Sequence, residues 1–429
     1  MQARSIRPRP LRFCFLTTFY PPWNFGGDGV QIQRLAHALA ARGHDVTVVH
    51  SQEGYRASGG SDHPPSDRDG PVRLVPIDAG LGRLSPLATY LTGRPLLVEG
   101  QLRRILAERF DVLHFHNPSL LGGPGVLALG DGLKLYTAHE HWLVCPMHVL
   151  WQDQRRVCVE PHCARCTLRH GRPPQLWRGS GVLERGLAHL DALIALSETS
   201  ARLHERLASS IPISVLPHFV PDPGPPPSPR ADVARGPFVL FAGRLEPIKG
   251  PMSMLPAFGP GAAARLVVAG SGSLEGAMRR AAAARERVEF TGWLGSDELA
   301  ALQRDALAVV VPSAGHETFG LAAVEAMAHG VPAVVRDFGA LGELARSSDA
   351  VIGYRTADEL RAVIGRLAAE PAWRAQLGGI ARADFLRRWT EATHLRDYFT
   401  LIGDSARATG RIELAELAAH EVGGAAAPS

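Results

Sequence analysis

The chain has 429 residues, more than one hydrophobic core usually supports, so two domains are expected. Its composition, 45% apolar and 21% charged, is that of a globular protein, and a net charge of +4 spread over mixed acids and bases argues against nucleic-acid binding. No apolar run reaches the length of a membrane span and the basic N-terminus lacks a small-residue cleavage site, which predicts a cytoplasmic protein.

In chain order, "LRFCFLTTFY" (residues 11–20) reads as a buried strand that stops at Pro21-Pro22. A glycine loop and an amphipathic helix follow in "GGDGVQIQRLAHALAARGHD", Gly43 ends the helix, and "VTVVH" is the next strand. Strand, glycine loop, helix and strand make a βαβ unit and imply a parallel sheet. "DVLHFHN" (111–117), "KLYTAHE" (134–140) and "ALIALSE" (192–198) extend that sheet, with Cys14 as a core residue of its first strand. A Pro-rich linker is expected over 221–236, dividing residues 1–220 from a second domain at 237–383. There the pattern restarts with "FVLFAGRL", "RLVVAGSG", "RVEFTGWL", "LAVVVPS" and "PAVVRD", a second doubly wound α/β unit. A helix over about 384–403 is expected to pack back on the first domain, and 406–429 to form a flexible tail. Two such domains face each other across a cleft, with ligands outside the carboxyl ends of the strands.

The stretch "GHETFGLAAVEAMAHGVP" holds Glu317 and Glu325, eight residues apart. Eight residues of continuous helix would separate the two by about 12 Å, too far to share one water as paired glycosidase carboxylates do at roughly 5–10 Å. If Glu317 instead precedes the helix, the loop "ETFGL" offers free backbone N–H groups at a helix N-terminus, an anion site, and Gly320 lets the backbone approach closely. The two glutamates would then grip the hydroxyl-bearing ends of a ligand whose phosphates lie between them. In "FAGRLEPIKG", Arg244 and Lys249 follow Gly243 at the end of a strand, where two cations suit a diphosphate. Of the chain's 46 basic residues only Lys134 and Lys249 are lysines.

These blocks, with "YPPWNFGGDGVQIQRLAHALAARGHDVTVV", closely resemble the group 1 family of retaining, nucleotide-sugar-dependent glycosyltransferases with the GT-B fold, over about residues 11–403. The resemblance implies two Rossmann-like domains, with the donor on the second and the acceptor on the first. It makes His139, Arg244, Lys249 and Glu317 the catalytic set. Gly26, Gly27, Gly243, Gly270, Thr318, Phe319, Gly320, Leu321 and Glu325 become the donor-binding set, with Glu325 on the ribose and His139 facing the transferred sugar. It implies no catalytic metal, a nucleotide diphosphate-sugar donor and a hydroxyl acceptor in glycoconjugate biosynthesis. Two other readings stay open: a sugar-nucleotide epimerase and a non-catalytic sugar-nucleotide binder. His218 stands where the family often has asparagine.

"LVVAGSGSLEG" mimics a dinucleotide fingerprint through Gly270, Gly272 and Gly276, but it is one residue too long and does not open the first βαβ unit. The insertion 145–166 carries Cys145, Cys158, Cys163 and Cys166, a set for structural zinc, free thiols or two disulfides. A basic stretch follows, with Arg165, Arg169, Arg172, Arg178 and Arg185. Either it is a solvated face, or it meets an anionic or lipid-linked acceptor or an anionic membrane.

Overall fold

A computed structural model describes residues 9–63, 66–205, 207, 211–224, 236–283, 285 and 287–424. Among these residues the first large sheet has eight strands in the order Ile213–Val215, Ala192–Ala195, Leu133–Thr137, Val112–Asn117, Arg12–Thr17, Asp45–Ser51, Val72–Ile77 and Arg68–Asp69. All pair in parallel except the last, an antiparallel edge. Alternation along Arg12–Thr17 sends Phe13 and Phe15 into one apolar layer and Cys14 and Leu16 into the other, so both faces are covered. The second sheet has six parallel strands, Val288–Gly292, Arg265–Ala269, Phe238–Ala242, Val309–Val311, Ala333–Arg336 and Val351–Tyr354. Most of the linker expected at 221–236 lies outside the described residues.

The C-terminal segment departs from expectation. The stretch 384–403 is two helices, Pro371–Arg388 and Glu391–Ala408, broken at Thr390, whose hydroxyl accepts the Thr393 N–H as an N-cap. The first stays with the second domain, where Ala381, Phe385 and Trp389 join the core around Val324 and Met327. The other crosses over and buries Leu395, Tyr398, Phe399 and Ile402 against Phe13 and Phe15. The flexible tail is corrected too. Ile412–Gly424 is helical, and Leu414, Ala415, Leu417 and Ala418 are buried in the same core, because their helical spacing forms one apolar stripe. Residues 425–429 lie outside the described residues. No described helix is long and apolar enough to cross a membrane.

Candidate active site

The carboxyl ends of both sheets open on one cleft of about 810 Å³, lined among others by Gly26, Gly27, His139, Gly243, Arg244, Lys249, Glu317 and Glu325. That volume suits a ligand the size of a sugar nucleotide. Strand Val309–Val311 ends in Pro312 and Ser313, and the loop after it turns into the helix Leu321–Ala328. Glu317 therefore precedes the helix and Glu325 lies inside it. The turn is made by Gly320 at φ 110°, a left-handed conformation that favours glycine. Phe319, Gly320 and Leu321, at the tip of this helix, line the cleft, and the first N–H groups of a helix lack an intrahelical partner. Gly27 approaches from the opposite wall, its Cβ position 3.7 Å from Leu321 Cδ2.

Glu317 and Lys249 are joined by an ion pair of 2.7 Å, and the Ser313 hydroxyl donates to the same carboxylate oxygen at 2.5 Å. Burial works to raise the Glu317 carboxyl, but Lys249, Ser313 and the nearby Arg244 outweigh it and hold it below the ordinary range. A carboxylate fixed in this way also fixes the ammonium beside the helix tip. Glu325 differs. Burial raises its carboxyl, only partly offset by Arg34 from the helix Gly27–Ala41 of the first domain. Thr318 is committed across the cleft, its hydroxyl donating to the His139 carbonyl at 3.1 Å.

Gly270 is a correction: it does not line the cleft. It sits behind the Arg244 loop, where a Cβ would meet the Gly243 carbonyl oxygen at 2.0 Å. Gly243 N–H donates to Ala269 O at 3.0 Å and Leu245 N–H to Ser271 O at 2.9 Å, so the glycine-rich segment props that loop from the rear.

On the first-domain side His139 lines the cleft and bonds two other imidazoles, His116 at 2.8 Å and His218 at 3.2 Å. Burial pushes it down to about 3, so it is neutral at physiological pH. His141 is buried in the next turn beside His204 and His316, and it does not line the cleft. Several site residues were not singled out from sequence. Asn117 and Ser313 end or directly follow buried strands, which is the available signal in a parallel sheet. Arg34, Glu140 and His116 carried none. Asp28 faces the cleft at the start of its helix, and burial, then Glu140, push its carboxyl up to about 6. Any rate component that needs this carboxylate ionised should rise with pH through about 6. Asp28→Asn is expected to abolish that limb, and a kcat/KM profile from pH 5 to 8 measures it.

The four insertion cysteines are free thiols, and burial followed by its neighbours Cys145, Cys163 and Cys166 raises the Cys158 thiol. Among the described residues no group of three or more His, Cys, Asp or Glu side chains is placed to hold a metal ion. The basic stretch splits by role. Arg178 is sandwiched against Trp142 and Trp177 and donates to Leu143 O at 2.9 Å and Trp142 O at 2.6 Å, so it is a structural cation. Arg172 lines the cleft, while Arg165 and Arg169 border a separate basic hollow with Arg155 and Arg156.

The family description "Glycosyl transferases group 1" matches residues 236–370, and "Glycosyltransferase Family 4" matches residues 25–222. The chain is 30% identical over 395 residues to the MMP alpha-(1->4)-mannosyltransferase of Mycolicibacterium hassiacum, covering 83% of this chain and 89% of that one. It is 28% identical over 373 residues to the glycogen synthase of Mycobacterium tuberculosis, 78% and 80% of the two chains. Sucrose-phosphate synthase of Thermosynechococcus elongatus is similar in structure, with a TM-score of 0.67 at 20% identity over 90% of this chain and 97% of that one. HepE of Anabaena, solved in complex with UDP and glucose, gives 0.62 at 17% over 92% and 100%. The structural likeness is one of fold, two Rossmann-like domains in the GT-B arrangement. Sequence matches on both sides of the cleft add the family: the chain belongs to the group 1 glycosyltransferases.

Proposed function

We propose that this enzyme is a retaining glycosyltransferase that moves a sugar from a nucleotide diphosphate donor to an acceptor hydroxyl. The observation that carries the reading is the convergence, at one end of the cleft, of the Leu321–Ala328 helix tip, Arg244 and the Lys249–Glu317 pair. Cleavage of the anomeric C–O bond builds negative charge on the departing diphosphate. Lys249, Arg244 and the free N–H groups at Gly320 and Leu321 oppose that charge in a partly desolvated site. Glu325, eight residues further along, is positioned for the ribose hydroxyls, and Gly26 and Gly27 leave room on the facing wall. The acceptor enters from the first domain, where Asp28 and Glu140 accept hydrogen bonds from hydroxyls and Arg172 favours an acceptor, free or lipid-linked, with an anionic group nearby. The charge on the leaving group is met by side chains and a helix dipole, so turnover is expected to survive EDTA.

The test is a panel of UDP-, GDP- and ADP-sugars read first by thermal shift. A ligand at 100 times its Kd stabilises the folded state by about 2.7 kcal/mol. The donor so found is then assayed for transfer. Conversion of the donor without acceptor would favour an epimerase. Binding with neither transfer nor slow donor hydrolysis would favour a non-catalytic binder.

A further inference from the structure

Three imidazoles form a continuous chain from the first domain's interior to the cleft. His116 Nδ1 lies 2.8 Å from His139 Nε2, and His139 Nδ1 lies 3.2 Å from His218 Nε2. The His139 and His218 rings are stacked with centroids 5.0 Å apart, and His218 meets the edge of Phe319 in the anion-binding loop at 6.2 Å. The outer end of the chain is held from the C-terminal helix, where His394 Nδ1 donates to the Pro217 carbonyl at 2.8 Å. Burial, then His139, His394 and Arg34, hold His218 well below its ordinary range, and burial likewise keeps His116 neutral.

A neutral imidazole has one N–H and one lone pair. His139 uses both nitrogens inside the chain, so it has no polar atom left for a substrate. The direction of the chain follows from its inner end. His116 Nε2 is buried without a partner. An orphaned N–H is rarer in folded proteins than an orphaned acceptor, so the lone pair belongs there and the proton on Nδ1. His116 then donates to His139 Nε2, and His139 Nδ1–H donates to His218 Nε2. That leaves His218 with its proton on Nδ1, the nitrogen the chain does not use, on a ring that lines the cleft.

Resting on the donor reading above, we infer that His218, not His139, presents the imidazole N–H to the transferred sugar, and that His116 and His139 are positioning residues that lock its tautomer. An asparagine side chain is also an N–H donor, so His218→Asn retains the donating group.

Long-range ¹H–¹⁵N correlation of the histidine rings tests the relay without any ligand. His218 is expected to stay neutral with Nδ1–H from pH 5 to 8. An Nε2–H tautomer, or protonation in that range, would overturn the proposal. Binding of UDP, GDP and ADP is then compared with binding of the glucose ester of each. His218→Phe is expected to lower the affinity advantage of the sugar ester about tenfold, the scale of one hydrogen bond, while leaving the bare nucleotide unchanged. His218→Asn should keep most of that advantage, and His116→Phe should lose part of it. An unchanged ratio in His218→Phe refutes the contact. Failure of the wild type to bind any nucleotide refutes the donor reading instead, while the spectra still decide the tautomer.

Discussion

Lys249→Ala is expected to lower kcat by roughly 100- to 1,000-fold, the usual loss when a preorganised group facing developing charge is removed. Apparent donor affinity should fall much less, because Arg244 and the helix N-terminus still receive the ground-state diphosphate. The side chains of Lys249 and Glu317 are only 31% and 20% exposed, so the lost ammonium also leaves a half-buried carboxylate without its main partner. The pairing adds a pH signature. The folded state holds the Glu317 carboxyl below its ordinary value of 4.5, so the pair's stabilisation is present above that value and is lost as pH falls through the depressed one. In Lys249→Ala burial dominates and the carboxyl rises instead, so the sign reverses: the buried carboxylate costs stability above the raised value, and that cost is relieved as pH falls through it. Steady-state kinetics with the donor found by thermal shift gives the rate, and urea denaturation between pH 3 and 7 gives the stability. The double variant Lys249→Ala/Glu317→Gln should recover stability but not turnover. A single variant that turns over at the wild-type rate would remove Lys249 from the leaving-group site.

The strands legible in the sequence were those with unbroken apolar runs, because a parallel sheet covered on both faces demands them. Val72–Ile77 escaped because Arg73 and Pro76 interrupt the run, and that strand tolerates a proline near the sheet's edge. Helix Ile412–Gly424 escaped because the small residues that end the chain masked the apolar stripe of Leu414, Ala415, Leu417 and Ala418. At the site, spacing offered Glu317 ahead of the helix as one of two arrangements and marked Gly320 as a point of close backbone approach; the left-handed turn at Gly320 decided between them. What spacing could not carry was direction. That Lys249 turns to Glu317, that Arg178 turns inward to two tryptophans, and that His139 spends both nitrogens on other histidines are outcomes of packing between segments distant in sequence.

Gly270→Ala is expected to reduce transfer about 100-fold although the residue touches no part of the cleft. At φ 138° any side chain is already strained there, at a cost of order 1–3 kcal/mol. The added methyl would also stand 2.0 Å from the Gly243 carbonyl oxygen and 3.0 Å from its carbon, both backbone atoms. Neither can swing aside as a side-chain end would. The Gly270 N–H is itself tied to Gly292 O at 2.7 Å, so the strand end cannot retreat freely. The loop from Gly243 to Leu245 must yield, and Arg244 moves with it. A displacement of about 1 Å at a positioning residue is enough to cost about 100-fold in rate. Gly276 provides the control. It lies inside the helix Glu275–Ala282 with only the tip of Arg280 within reach at 3.5 Å, so Gly276→Ala should leave activity intact and stabilise by up to about 1 kcal/mol. A dinucleotide cradle would show the reverse sensitivity, because its third glycine is the one that packs helix on strand. Transfer rates and melting temperatures of the two variants separate these cases. Full activity in Gly270→Ala would show that the loop bearing Arg244 does not lean on this glycine.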